Sequence, residues 1–257
     1  MKFLILKKRR IVAFFLCAIA LVVSFATMWH SGAHVVMAGR TTRKLPIYCV
    51  DTNEPNIALT FDASWGADKT LKILEILQNY DIRATFFCVG FWAEKYSDTL
   101  KKLSESGRME IGTHSNTHPH LNKLSSEQIA TELDTSISII KGITGKEITL
   151  FRAPFGEYSD KVLSVAEGKG LFTIQWDVDT LDWKGLSAGQ ISARVLKKAN
   201  KGSIVLMHND GEHTVEALPL IIEGLKNKGY NFVCVSDLIY KENYEIDHTG
   251  KQIRIEG

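Results

Sequence analysis

Two histidines that lie four residues apart, His114 and His118, are the strongest candidates for chemistry in this sequence. They follow the apolar-flanked segment 109–112. If the backbone turns through one helical turn after that segment, both imidazoles point the same way. Two nitrogens presented in this way are a common arrangement for binding one metal ion. The alternative, from the spacing alone, is a polar surface loop.

Further polar residues follow other apolar segments of the chain, namely Asp62, Arg152, the acids Asp177, Asp179 and Asp182 before Trp183, and His208. A carboxylate directly after a buried strand needs a partner, and Arg152 is the natural partner for Asp62. A carboxylate such as Asp182 near His208 raises the pKa of that imidazole and suits it to act as an acid. An exposed Trp183 suits the stacking of a sugar ring.

Seven short apolar runs predict the strands that position these side chains, at residues 57–61, 84–89, 109–113, 148–152, 171–177, 203–208 and 231–235. Six amphipathic stretches with helical periodicity lie between them. Ser125 with Gln128 forms a capping box before one helix, Ser187 precedes another, and Gly229 ends the last.

The alternation of strands and helices predicts an α/β fold with a parallel sheet. Both a (β/α) barrel and an open doubly wound sheet fit the count. The candidate residues follow five different strands, and those strand ends converge on one rim only in a barrel. We therefore expect one barrel domain at residues 55–240, after a linker at 31–54 and before a polar tail at 241–257.

The first 30 residues form a separate segment. The basic cluster 7–10 precedes an uncharged run from 11 to 29, which is long enough to cross a bilayer. Its length favours a signal anchor, whereas residues 36–38 leave open a cleaved signal peptide. Both alternatives place the domain outside the cytoplasm. A net charge of +2 gives no reason to expect nucleic acid as a partner, and we expect a monomer.

Five short motifs, spread from about residue 55 to 238, resemble those of the polysaccharide deacetylase family, carbohydrate esterase family 4, with its NodB-like domain. They are Thr60-Phe61-Asp62, His114-Ser115-Asn116-Thr117-His118, Arg152-Ala153-Pro154-Phe155, Asp182-Trp183 and Leu206-Met207-His208. The resemblance covers the whole predicted domain. It implies a distorted (β/α)7 barrel, in agreement with the strand count.

The resemblance also implies residue roles. Asp62 would be the catalytic base, oriented by Arg152. His114 and His118 would bind a divalent metal ion, with zinc expected first and cobalt or a similar ion as alternatives.

The remaining roles concern the substrate and the acid. The backbone N–H of Phe155 would bind the oxyanion, Trp183 would line the substrate groove and Leu206 would wall the acetate pocket. Asp182 would tune His208, the general acid.

One position departs from the family pattern. The family carries a second aspartate after the base as a third metal ligand, and this chain has Ala63. The form of the first motif, 61–66, resembles the branch of the family associated with endospore formation. His120 and His213 are spare candidates for the missing ligand.

These observations predict a metal-dependent hydrolase that removes N-acetyl groups from cell-wall aminosugars. An exported domain facing the wall makes peptidoglycan, through its N-acetylglucosamine or N-acetylmuramic acid, a better substrate than chitin. The alternative is a catalytically weak or inactive glycan-binding member of the family, because of Ala63.

Two other enzyme classes fit the residues less well. A glycosidase using two of the three acids before Trp183 would leave the paired histidines and Arg152 without a role. A zinc protease of the H-E-x-x-H type would need glutamate where Ser115 stands.

Overall fold

The fold is a parallel sheet whose strands alternate with helices. The computed structural model describes residues 43–255. The predicted membrane anchor or signal peptide, residues 1–30, and the linker up to residue 42 lie outside this range. The strands are β1 Cys49–Val50, β2 Asn56–Ala63, β3 Ala84–Cys88, β4 Met109–Thr113, β5 Leu150–Phe151, β6 Phe172–Thr173, β7 Val178–Asp179, β8 Ile204–His208, β9 Asn231–Phe232, β10 Tyr244–Ile246 and β11 Lys251–Arg254. The helices are α1 Thr70–Asn79, α2 Gly90–Lys95, α3 Ser97–Glu105, α4 Ser126–Thr144, α5 Asp160–Gly168, α6 Ala188–Lys198, α7 Thr214–Asn227 and α8 Val235–Leu238.

The main sheet has the strand order β6-β5-β4-β3-β2-β8-β7, and β9 also pairs with β2. All of these pairings are parallel. The two edge strands, β6 and β7, are separated in sequence by only residues 174–177. The chain itself therefore connects the two edges of the sheet, and the predicted distorted (β/α)7 barrel is confirmed.

The prediction of one continuous strand at 171–177 is wrong. The segment forms β6 at one edge, crosses residues 174–177 and enters β7 at the other edge. Ile47, in the predicted linker, fills the break: its N–H donates to the Thr173 carbonyl and its carbonyl accepts from the N–H of Gln175. A run of apolar residues indicates burial, but it does not indicate which neighbour the backbone pairs with.

Asp177 was predicted at the rim with the other acids, and that prediction is also wrong. Its carboxylate accepts hydrogen bonds from the Ser203 hydroxyl at 2.7 Å and from the Ile204 N–H at 2.8 Å. Ile204 begins β8, so Asp177 lies at the amino-terminal end of that strand, away from the rim. Its role is to satisfy the backbone at the start of the strand.

The tail and the linker also contribute structure. Strand β11 pairs in parallel with β1 and antiparallel with β10, which makes a three-stranded sheet beside the barrel. Gln252, fully buried in β11, exchanges two hydrogen bonds with the backbone of Tyr240. The predicted strand at 231–235 is shorter than expected, since Cys234 caps α8.

Strand β2 shows how the barrel aims its side chains. The alternate residues Leu59, Phe61 and Ala63 belong to the main core cluster, together with residues of the surrounding helices. The intervening residues face the other way, and the Thr60 hydroxyl donates to the Val205 carbonyl at 2.6 Å. This period of two makes Asp62 the last inward-facing residue of the strand.

The helices begin where the sequence predicted. The Ser125 hydroxyl accepts from the N–H of Gln128, and the Gln128 side chain accepts from the N–H of Ser125, which confirms the capping box. Ser187 and Gln190 repeat the arrangement before α6. Within residues 43–255, no helix combines the length and the apolar character that crossing a bilayer requires.

A pair of glycine substitutions tests the packing between linker and barrel. Gly202 has φ +77°, and a Cβ there would lie 1.9 Å from the Val50 carbonyl oxygen. We expect Gly202→Ala to lower the free energy of unfolding by more than about 2 kcal/mol. Gly142, exposed in α4 with no heavy atom within 4 Å of its added Cβ, is the control. Gly142→Ala should stabilise by about 0.5–1 kcal/mol. Urea unfolding measures both, and equal effects would contradict the proposed packing.

Candidate active site

A cavity of about 720 Å³ opens at the carboxyl ends of the barrel strands. Eight of the nine site residues predicted from the sequence line it, namely Asp62, His114, His118, Phe155, Asp182, Trp183, Leu206 and His208. The ninth, Arg152, is fully buried and bonds to Asp62. The structure therefore brings the predicted residues of all five motifs to one place.

The predicted pairing of Asp62 with Arg152 is present. Arg152 Nη1 donates to Asp62 Oδ1 at 2.8 Å, and the remaining guanidinium bonds go to the carbonyls of Ile174 and Gln175. Burial acts to raise the pKa of Asp62, but the charge and hydrogen bond of Arg152, together with the nearby His114 and His208, outweigh it, so the net pKa is lowered. Asp62 is therefore a carboxylate at neutral pH, held in one orientation.

His114 and His118 converge on the same side of Asp62. Nδ1 of His114 donates to the Arg152 carbonyl at 2.8 Å, which leaves Nε2 unprotonated, at 3.6 Å from Asp62 Oδ2. The two imidazole centroids are 4.9 Å apart. The expected helical turn between them is absent, because Ser115 and His118 have φ of 66° and 58°, in the left-handed region.

Glu132 on α4 holds this unusual loop. Its carboxylate accepts from the N–H of Asn116 at 2.9 Å, and from the N–H and the hydroxyl of Thr117 at 2.8 Å each. The Ser115 hydroxyl adds a bond from the N–H of His118. Sequence reasoning missed Glu132, because an acid in an amphipathic helix carries no signal until its neighbour in space is known.

The donor chemistry of the two histidines fits a divalent ion that binds imidazole. Burial lowers the pKa of His114, and burial together with the neighbouring His114 lowers the pKa of His118 to about 4. Both rings are therefore neutral and can donate a lone pair. Within residues 43–255, however, no three His, Cys, Asp or Glu side chains are grouped closely enough to hold a metal ion.

The candidates for a third ligand lie elsewhere. Ala63 is fully buried in the core layer that faces the helices and does not line the cavity. His120 is paired with Glu157, and neither His120 nor His213 lines the cavity. The site thus provides two protein nitrogens, which predicts weaker metal binding than three protein ligands would give.

His208 is oriented by Asp182. Its Nδ1 donates to Asp182 Oδ1 at 2.7 Å, while Oδ2 accepts from the His208 N–H and from the Thr214 hydroxyl. Burial acts to lower the pKa of His208, but the hydrogen bond and charge of Asp182, together with the charges of Asp62 and Asp179, outweigh it, so the net pKa is raised. The Thr214 hydroxyl provides the last of these hydrogen bonds to Asp182. The sequence alone did not identify Thr214 as a site residue.

Two predicted substrate residues present exposed rings to the cavity. Phe155 is 55% exposed and Trp183 is 59% exposed, whereas Leu206 is buried. The Phe155 ring meets the His118 ring edge-on, with centroids 4.5 Å apart. Phe155 has φ 60°, a strained conformation that is often found at functional sites.

The fold and the site define a class: hydrolases with a (β/α) barrel that carry, at its rim, an ionised aspartate, a histidine with a raised pKa and a pair of neutral imidazoles. The comparisons with known proteins identify the family. Residues 50–174 match the sequence model described as "Polysaccharide deacetylase". This chain belongs to the polysaccharide deacetylase family, carbohydrate esterase family 4, whose enzymes are deacetylase hydrolases.

Three relatives illustrate the similarity. The chain is 35% identical to peptidoglycan-N-acetylglucosamine deacetylase of Bacillus cereus, over 72% of this chain and 69% of that protein. It is 34% identical to peptidoglycan-N-acetylmuramic acid deacetylase PdaA of Bacillus subtilis, over 77% of both. Identity to the uncharacterized protein YlxY of Bacillus subtilis is 34%, over 76% of this chain, which spans only 60% of YlxY.

A solved structure with the same fold is BA3943 of Bacillus anthracis, described as a CE4 family pseudoenzyme. The TM-score is 0.73 at 33% identity, over 82% of this chain and 70% of that one. A mutant of BA3943 is described as having restored enzymatic activity. The family therefore includes similar members that differ in whether they catalyse a reaction.

Replacing Arg152 tests the ion pair. Arg152→Met leaves the Asp62 carboxylate buried without its partner, and we expect a loss of about 3–5 kcal/mol in the free energy of unfolding at pH 7. The double variant Arg152→Met/Asp62→Asn removes the unpaired charge and should recover part of that loss. Urea unfolding of both variants measures the difference. A double variant as unstable as the single one would contradict this account.

Proposed function

We propose that this domain hydrolyses the N-acetyl group of peptidoglycan aminosugars, either N-acetylglucosamine or N-acetylmuramic acid, and releases acetate. One observation carries the proposal: Asp62 and His208 are register partners on the neighbouring strands β2 and β8. Their pKa values are moved in opposite directions, down for Asp62 and up for His208. A base and an acid thus stand side by side in one cavity, which is typical of acid–base catalysis.

The reaction follows from these two groups. Asp62, held by Arg152, accepts a proton from a water molecule as the water oxygen attacks the amide carbonyl carbon. The N–H of Phe155 donates to the oxyanion that forms. His208, protonated and oriented by Asp182, gives its proton to the amine nitrogen as the C–N bond breaks. The immediate products are acetic acid and the free amine of the sugar. Asp62 has gained one proton and His208 has lost one, so exchange of one proton through solvent restores both groups, and the acid leaves as acetate after it loses its own proton to solvent.

His114 and His118 would hold the divalent ion in this mechanism. When bound, such an ion polarises the amide carbonyl and lowers the pKa of water. Zinc suits two imidazole ligands, and cobalt or a similar ion is the alternative. Neutral imidazoles at physiological pH favour this role, as the lowered pKa values of both histidines indicate.

The peptidoglycan deacetylases among the relatives support the choice of substrate. The sequence of residues 1–30 supports a location outside the cytoplasm, with the domain anchored to the membrane or secreted after cleavage. In that position the partner of the domain is the cell-wall polysaccharide. The resemblance of residues 61–66 to the endospore branch makes sporulation the proposed setting.

Acetate release tests the proposed activity. Full-length protein supplied with zinc or cobalt should release acetate from N-acetylglucosamine oligomers or from peptidoglycan. Asp62→Asn should be slower by about 10²–10⁴-fold, because the base is lost. Bound metal is measured in the same samples, and circular dichroism checks the fold of the variant. Equal rates for the two proteins would overturn the proposal.

The second candidate is a glycan-binding protein without turnover. It is favoured by Ala63 and by the similarity to a described pseudoenzyme. This function predicts binding of the same oligosaccharides, dependent on Trp183, with no acetate released at any metal concentration. Oligosaccharide binding is measured by calorimetry and acetate release is measured in parallel. Binding with acetate release indicates the deacetylase, and binding without it indicates the glycan-binding protein.

The pH dependence tests the role of Asp182. Since the pKa of His208 is raised, its protonated form persists to higher pH, and kcat/KM should fall as the pH rises through that pKa. Asp182→Asn removes the charge that raises the pKa, so the fall of kcat/KM on the alkaline side of the pH profile, its alkaline limb, should move to lower pH. Asp179→Asn removes a more distant charge without removing the hydrogen bond, and it should move the limb less. An unmoved limb in Asp182→Asn would rule out His208 as the acid.

A further inference from the structure

Trp65 is an exposed aromatic residue on the cavity, and none of the residue roles given above includes it. Its side chain is 61% exposed. Within residues 43–255 the exposed large hydrophobic residues are Trp65, Leu71, Phe155, Trp183, Leu220 and Ile255. Three of these six line this cavity. Apolar exposure concentrated in a concave site indicates a ligand surface.

The backbone beside Trp65 is held in place from two sides. The carbonyl of Gly66 accepts from Trp92 Nε1 at 2.6 Å and from Asn209 Nδ2 at 3.0 Å. Trp92 and Asn209 are both buried. Gly66 itself has φ +55°, and a Cβ there would lie 2.9 Å from the Asp210 carboxyl group. The backbone that carries the indole is therefore held before any ligand binds, which lowers the entropic cost of binding.

Trp65 and Trp183 lie on opposite sides of the rim of the cavity. The Trp65 ring packs against Phe91 and meets the His118 ring edge-on, with centroids 6.0 Å apart. Trp183 lies on the other side of Asp62, next to Asp182, which bonds to His208. His118, which Trp65 meets, follows β4, and Trp183 follows β7. In the strand order β4-β3-β2-β8-β7, the strands that carry Asp62 and His208 lie between these two. The two indoles thus flank the base and the acid.

We propose that Trp65 forms a second saccharide-binding subsite, which stacks against the sugar adjacent to the one that loses its acetyl group. The inference rests on the proposed function, because it assigns a substrate to the same cavity. The C–H face of a pyranose ring packs on an indole as other apolar groups do. The domain accordingly binds glycan chains better than single sugars, and Trp65 supplies that preference.

The test compares one sugar with a chain of four. Full-length protein, Trp65→Ala and Trp65→Phe are titrated with N-acetylglucosamine and with its β-1,4-linked tetramer, by calorimetry with zinc present. We expect Trp65→Ala to lose about tenfold in tetramer affinity and to change little toward the monomer. Trp65→Phe should keep part of the tetramer affinity. Leu220→Ala, which removes an exposed apolar side chain away from the cavity, is the control and should match the unaltered protein.

Because Trp65 contacts the ring of His118, zinc affinity is measured for each variant. Equal tetramer affinity in Trp65→Ala and the unaltered protein would overturn the subsite, as would equal losses for monomer and tetramer. A protein that binds neither sugar would also overturn it. If the tetramer preference depends on Trp65 but no acetate is released, the subsite stands and the deacetylase function fails. If acetate is released but the tetramer preference does not depend on Trp65, the deacetylase function stands and the subsite fails.

Discussion

The buried ion pair between Asp62 and Arg152 is the interaction on which the rest of the site depends. It joins β2 to the end of β5, across the intervening strands. The other guanidinium bonds reach the carbonyls of Ile174 and Gln175, so the same side chain supports the irregular segment between the sheet edges. The main-chain carbonyl of Arg152 sets the tautomer of His114. One residue therefore orients the proposed base, Asp62, with its side chain and the proposed metal ligand, His114, with its backbone.

The pKa values of the neighbouring residues Asp62 and His208 move in opposite directions because their charged partners differ. Asp62 is buried and His208 is half-buried, and burial alone disfavours the charged form of each. A fully buried cation offsets this cost for Asp62, and a fully buried anion offsets it for His208. The partners therefore favour protonation of His208 and ionisation of Asp62, which are the states that the proposed acid and base need.

Much of the barrel could be predicted because its central strands are buried on both faces. The apolar runs at 57–61, 109–113 and 203–208 became strands at nearly the expected residues. The run at 171–177 is equally apolar, but its pairing depends on Ile47, which lies far away in sequence. Asp177 was misplaced for the same reason. A strand prediction carries no information about which edge of the sheet the strand joins.

The site residues were accessible from the sequence where their chemistry forms short patterns. The histidine pair, the Arg152 motif and Asp182-Trp183 are of this kind. Glu132 and Thr214 were not accessible, because each acts on a loop distant in sequence and belongs to an ordinary amphipathic helix. The expected helical turn after residue 112 failed for a related reason. Glu132 bonds the backbone of the loop in which Ser115 and His118 are left-handed.

The passage of residues 174–177 between the sheet edges has a mechanical consequence. A barrel closed by a full hydrogen-bonded ladder can fray at one strand and remain closed elsewhere. Here the circle is completed by residues 174–177 of the chain itself, the seam, whose backbone N–H groups donate to the carbonyls of Phe151, Ile47 and Ile204. Trp176 on that seam forms part of the cavity wall, and its neighbours hold the guanidinium. Local opening of the seam would loosen the wall and release the Asp62 carboxylate from its alignment in a single event.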